Sequence, residues 1–160
     1  MFPLHPHHVP GAIIRPLHLG EARPLAEALA GMDPWGRLGF KPAVLTTYLE
    51  KRDGALSVYG IEIGGHLAGG MTLRYPWLKG PYLELLAVLP AYQKHGLGRL
   101  ALEWAMARAR HGGAGNLWAC VSAFNTPARA FYHRLGFVET CQLDDLVRDG
   151  EAEMLLRKRL

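Results

Sequence analysis

Hydrophobic positions repeat with two periods along this chain, and the period changes at glycines, prolines and acidic turns. A first strand is predicted at Ala12 to Arg15. Glu21 to Met32, rich in Ala and Leu, reads as a helix, and Lys41 to Lys51 as a second. Between them Asp33-Pro34-Trp35-Gly36-Arg37-Leu38-Gly39-Phe40 is a turn-rich loop carrying two large aromatics. Leu56 to Ile63 and His66 to Tyr75 read as strands joined at Gly64-Gly65, a hairpin signal. Pro81 to Leu89 is apolar on both faces and is expected at the centre of a sheet. Leu97, Leu100, Ala101, Trp104, Ala105 and Arg108 keep helical spacing, and Gly112-Gly113 stops that third helix. Leu117 to Val121 is another strand apolar on both faces. Thr126 can cap a short fourth helix that has Pro127 at its first position and Gly136 at its stop. Phe137 to Leu143 and Glu151 to Arg157 follow as late strands around an Asp/Gly turn. The order is β-α-α-β-β-β-α-β-α-β-β, an α/β chain.

Before the first strand, Met1 to Pro10 holds Pro3, Pro6, Pro10 and three histidines and reads as a flexible lead-in. His5, His7 and His8 have no carboxylate or cysteine close by in sequence, so a tail is favoured over a metal site. No repeat, low-complexity tract or linker divides the remainder, and residues 11–160 are expected to form one domain.

The densest chemistry follows the central strand. Leu83 to Leu89 ends at Pro90, and a short turn carries Gln93-x-x-Gly96-x-Gly98 into the third helix. Such a loop aims backbone N–H groups outward, and the helix dipole adds roughly half a positive charge there. Glycine lets the main chain approach a bulky anion where a Cβ would collide. A pyrophosphate suits that place. The dinucleotide pattern G-x-G-x-x-G and the P-loop ending Gly-Lys-Ser/Thr are both absent. Further on comes Asn125-Thr126-Pro127-Ala128-Arg129-Ala130-Phe131-Tyr132-His133-Arg134-Leu135-Gly136-Phe137. The first motif resembles the acyl-CoA loop of the GNAT superfamily of N-acetyltransferases. The second resembles that family's signature N-x-x-A-x-x-x-Y-x-x-x-G-F. The resemblance covers most of the chain and is specific from Leu83 to Phe137. It implies a single-domain, mostly antiparallel, mixed and twisted sheet with helices on both faces. It also implies acetyl-CoA as cosubstrate, with no metal.

The resemblance assigns roles to residues. The segment Gln93, Lys94, His95, Gly96, Leu97, Gly98 and Arg99 would hold the pyrophosphate, chiefly through backbone amides. Leu86, Ala87 and Val88 would offer main-chain groups to the pantetheine arm, on a strand that splays from its neighbour. A backbone N–H there would polarise the thioester carbonyl. Asn125 and Ala128 would meet the cofactor from the other side, and Tyr132 would be the general acid. A phenol with a pKa near 10 stays protonated at neutral pH and can donate to a departing thiolate. A core-packing role for the same ring is the alternative.

For the base, Glu84 is the one ionisable residue inside an apolar strand, sharing a face with Tyr82 and Leu86 by the period of two. Burial there would raise its pKa toward a useful range, whereas pairing with an Arg or Lys would make it structural. Glu62 and His66 are weaker candidates, and a water relay could replace any side chain. The resemblance also implies an acceptor wall on the loop between the first two helices, at Trp35, Arg37 and Phe40, with Tyr75 and Trp77 opposite; packing into the core is the alternative for Trp35, Tyr75 and Trp77. The Pro34-Trp35 pair resembles ribosomal-protein alanine N-acetyltransferases. Only Asp33 is acidic in that loop region before Glu50, which favours a peptide or protein amine over a polycation. A catalytically idle acyl-CoA-binding regulatory domain is the rival reading.

Composition sets limits. At 160 residues, 49% apolar and 20% charged, the chain can bury a core. No apolar run reaches the roughly 18 residues of a membrane span, no signal-like opening is present, and the two cysteines, Cys120 and Cys141, suggest no disulfide framework. A cytoplasmic monomer or homodimer without membrane or nucleic-acid partners is expected. The net charge of +4 is spread along the chain, which fits a polyanionic cofactor better than nucleic acid.

Overall fold

A computed structural model describes residues 1–160. Eight strands form one sheet in the order β1-β2-β3-β4-β5-β6-β8-β7. They are β1 His7–Val9, β2 Ala12–Pro16, β3 Leu56–Ile63, β4 His66–Trp77, β5 Gly80–Val88, β6 Asn116–Ser122, β7 Val138–Asp144 and β8 Ala152–Arg159. Four helices, α1 Leu19–Ala30, α2 Pro42–Leu49, α3 Leu97–His111 and α4 Thr126–Arg134, complete the chain. Every neighbouring pair of strands is antiparallel except β5 and β6. The mixed, mostly antiparallel sheet expected from the sequence is therefore present, and no helix is long and apolar enough to cross a membrane.

The opening segment is not a loose lead-in. His7 to Val9 pair with Ile14 to Ala12 as an edge strand, which adds a β to the predicted order. Apolar contact explains the docking: Phe2 and His7 lie against Trp104, with ring centroids 6.3 and 5.7 Å away. Tyr59 also donates its hydroxyl to the Pro3 carbonyl at 2.7 Å. The fourth helix is capped by Asn125 rather than Thr126. The Asn125 Oδ1 accepts the Ala128 N–H at 3.2 Å, and Thr126 is already helical.

Two cores flank the sheet. Ala22, Leu25, Ala26 and Leu29 of α1 and Leu45 and Leu49 of α2 pack with Leu85 and Ala87. On the other face Leu97, Ala101, Leu102 and Ala105 of α3 pack with Leu83, Leu117, Ala119 and Leu156. Leu83 and Leu85 thus face opposite ways, although simple alternation would put them together. A bulge explains it: Thr72 pairs with Leu85 and the next residue, Leu73, with Leu83, so Glu84 is the extra residue on β5. Beyond the bulge, Leu86 and Val88 turn toward the α3 side. Glu84 and Leu86 therefore do not share a face as the period of two predicts.

Between β5 and β6 the pairing is brief. Only Tyr82 with Trp118 and Leu83 with Ala119 join them, so from Glu84 onward the two strands separate. That gap positions the site.

Candidate active site

The edge that β5 leaves open runs into the loop before α3. The Gln93 side chain donates to the Val88 carbonyl at 2.9 Å, and Pro90–Tyr92 makes one 3₁₀ turn. Lys94 and Gly96 have φ of 67° and 79°, so the loop curls through two left-handed positions before α3 begins. No side chain caps α3, its first turn holds no acid, and Arg108, Arg110 and His111 complement its far end. The N–H groups of Leu97, Gly98 and Arg99 are left for an anion, which is the chemistry a pyrophosphate needs. The backbone cradle thus fits a CoA-type cofactor. At Gly98 a Cβ would meet Phe131 and Val88 only at 3.7 Å, an ordinary contact, so the protein's own packing there does not require glycine.

A cleft of about 600 Å³ opens over this loop. Leu86, Ala87, Val88, Gln93, Lys94, Gly96, Leu97, Gly98, Arg99, Asn125, Ala128 and Tyr132 all line it. His95 does not, and its side chain is exposed. Sequence reasoning missed Tyr92, Phe131, Arg134 and Leu135, which line the same cleft. The helical period could have found Phe131 and Leu135, which stand one turn from Ala128 and Tyr132 along α4.

A second compartment of about 180 Å³ lies toward the α1–α2 loop, walled by Trp35, Leu38, Phe40, Tyr82, Cys120, Ser122, Leu146 and Val147. Pro34, Trp35, Leu86, Asn125, Ala128 and Tyr132 line both spaces, so the two meet at Tyr132. Tyr132 is 8% exposed and stacks edge-on against Phe131 and Phe137. Burial pushes its phenol above the ordinary range. Burial likewise pushes the Cys120 thiol up to about 11, which makes it a poor nucleophile.

Glu84 lines the second compartment but is engaged there. Its Oε1 accepts from Arg74 Nε, and its Oε2 from the Tyr48 hydroxyl at 2.7 Å. Arg74 also pairs with Asp53 at 2.9 Å. The paired, structural reading of Glu84 is the one this geometry favours. Glu62 is held by Arg15 at 2.6 Å, and His66 is exposed at the β3–β4 turn; neither lines the two spaces.

Trp35 and Phe40 line the second compartment, but Arg37 does not. Its guanidinium lies 3.8 Å over Phe124 and pairs with Glu151 at 3.2 Å, while its carbonyl accepts from Arg148 at 2.6 Å. Tyr75 and Trp77 line neither space; Trp77 stacks behind Tyr82 at 4.7 Å. Leu146 and Val147, which the sequence reading did not name, line the second compartment. Their signal was two apolar residues inside the charged turn from Asp144 to Gly150. Glu153 was also missed, a lone acid among the apolar residues of β8.

Known proteins resemble this chain in sequence and in fold. The sequence matches the acetyltransferase (GNAT) family over residues 24–137. Streptothricin acetyltransferase of Streptomyces lavendulae is 37% identical over 89 residues, 55% of this chain and 47% of that protein. The ribosomal protein bS18-alanine N-acetyltransferase of Escherichia coli (strain K12) is 44% identical over 54 residues, 34% of this chain and 36% of that protein. The matched segments thus span less than half of each relative's own length. A GNAT family acetyltransferase from Elizabethkingia anophelis, solved with acetyl-CoA bound, has the same fold at a TM-score of 0.72 and 19% identity, covering 94% of this chain and 99% of that one.

Proposed function

This chain belongs to the GNAT family of acetyltransferases, and we propose that it moves the acetyl group of acetyl-CoA to a primary amine by direct attack in a ternary complex. The observation that carries this reading is the meeting of two compartments at Tyr132, an anion-ready cleft on one side and an acceptor-sized space on the other. The α3 loop would hold the pyrophosphate, with Lys94, Arg99 and Arg134 adding charge to the cleft. The free edge of β5 would take the pantetheine arm and aim a backbone N–H at the carbonyl oxygen. As the amine nitrogen bonds to the acyl carbon and the C–S bond breaks, Tyr132 donates to the leaving sulfur. Cys120, its thiol held protonated, supports a route without an acyl-enzyme.

The acceptor we favour is the free amine of a peptide or protein. The compartment is small and its walls are mainly apolar. Of its carboxylates, Glu84 is neutralised by Arg74, which leaves too little negative charge for a polycation. Thiol release from acetyl-CoA tests this, with a peptide bearing a free N-terminal alanine, spermidine and streptothricin as acceptors. We expect release with the peptide at the highest kcat/KM. A tenfold preference for spermidine or streptothricin would reverse the acceptor choice. No release with any amine, alongside measurable acetyl-CoA binding, would make this a catalytically idle acyl-CoA-binding domain.

A further inference from the structure

Glu153 is the one carboxylate of the chain that is buried, at 5% exposure. On β8 it stands opposite Ser122 of β6, and both side chains leave the sheet on the face away from α3. That face is the wall of the second compartment. The Glu153 Oε1 accepts the Ser122 hydroxyl at 2.6 Å. No basic side chain pairs with it, whereas Glu84 in the same wall is tied to Arg74 and Tyr48. A carboxylate withdrawn from water without a cation is costly, and any apolar residue on β8 would avoid that cost. The second compartment therefore holds a single uncommitted negative charge beside the space where Tyr132 enters.

We propose that Glu153 binds the protonated amine of the acceptor and takes its proton, a role that rests on the acetyltransferase reading of this site. The ammonium gives one proton to the Glu153 carboxylate and becomes the free amine. Its nitrogen lone pair forms the C–N bond while the C–S bond electrons leave on sulfur. Tyr132 protonates the departing sulfur, and the second proton that the nitrogen sheds restores the Tyr132 phenol. Glu153 returns its own proton to solvent as the amide departs. The products are the amide, the free thiol and one proton, which matches the reactants.

The surroundings set the pH at which this works. Burial pushes the Glu153 carboxyl above its usual range; the Ser122 bond pulls it back, and Glu151 pushes it up again. Around it, β6 presents Cys120, β5 presents Tyr82 and Glu84, and α4 presents Tyr132. Cys141 and Asp144 lie on β7, and Glu151 is itself engaged by Arg37. None of these supplies a free cation, so the arriving ammonium is the partner the carboxylate lacks.

The pH profile of kcat/KM for the N-terminal alanine peptide tests the role, with acetyl-CoA affinity followed by calorimetry. The wild-type acid limb should fall above the ordinary Glu value of about 4.3. Glu153→Gln, which can still accept from Ser122, should remove that limb, lower kcat/KM by about a hundredfold and leave acetyl-CoA affinity unchanged. It should also cost far less with a weakly basic arylamine, which arrives without a proton to give. Ser122→Ala removes a bond to the ionised form, so the limb should move to higher pH in a fully folded protein. An acid limb unchanged in both variants overturns the proposal. A wild-type protein that transfers to no amine fails the acetyltransferase reading instead, and the two failures are told apart by that control.

Discussion

A phenol closed off from water keeps its proton, and that decides what Tyr132 can offer. Its raised pKa means that it begins each turnover with its proton in place over the whole practical pH range. Tyr132→Phe should therefore lower kcat about a hundredfold, leave acetyl-CoA affinity unchanged and remove no limb of the pH profile below about pH 10. A variant with full kcat, under conditions where chemistry is rate-limiting, would return the ring to packing between Phe131 and Phe137. Glu84 sits at the opposite pole. It holds Arg74 and Tyr48 across β4, β5 and α2, so Glu84→Gln should cost about 1–3 kcal/mol of stability. Chemical denaturation would show this as a lower midpoint, while the acid limb in kcat/KM stays in place. Loss of that limb in Glu84→Gln would instead make Glu84 the base.

At the scale of elements, the loop before α3 was legible because its signals are local. Apolar run, proline, glycines and helical stripe follow one another along the sequence, and the structure joins them into one cleft edge. The bulge at Glu84 was not legible, because it arises from the register between β4 and β5, and register is a property of two strands. The same limit hid Glu153, which needs β6 beside it before its burial means anything. It also hid the docking of Met1 to Pro10, which depends on Trp104 far along the chain. A prediction belongs to the junction of β5, α3 and α4. Gly98 leaves room beside Phe131 and Val88, and Gly98→Trp would fill that room from the helix side. Circular dichroism should show an intact fold, and calorimetry should show no acetyl-CoA binding. Unchanged affinity in the folded variant would exclude this loop as the cofactor site.

On the scale of the whole molecule, the sheet is two unequal parts. Strands β1 to β5 carry α1 and α2, and β6 to β8 follow, yet only two residue pairs cross from β5 to β6. Helix α3 spans both parts on one face, and the Arg37 and Arg148 contacts join the α1–α2 loop to the β7–β8 loop on the other. The place where a CoA molecule would lie is the missing stretch of ladder itself. An occupant there would act as a ninth strand in part, offering across the gap partners for the main-chain groups that β5 leaves unpaired. Heat resistance is then coupled to occupancy. At 100 times its dissociation constant, acetyl-CoA should add about 2.7 kcal/mol to the free energy of unfolding, which for a domain of this size is roughly 5–10 °C in Tm. Differential scanning calorimetry can read that shift, and Gly98→Trp should show none of it. The open stretch between β5 and β6 is thus the place where the loaded enzyme should gain its resistance to heat.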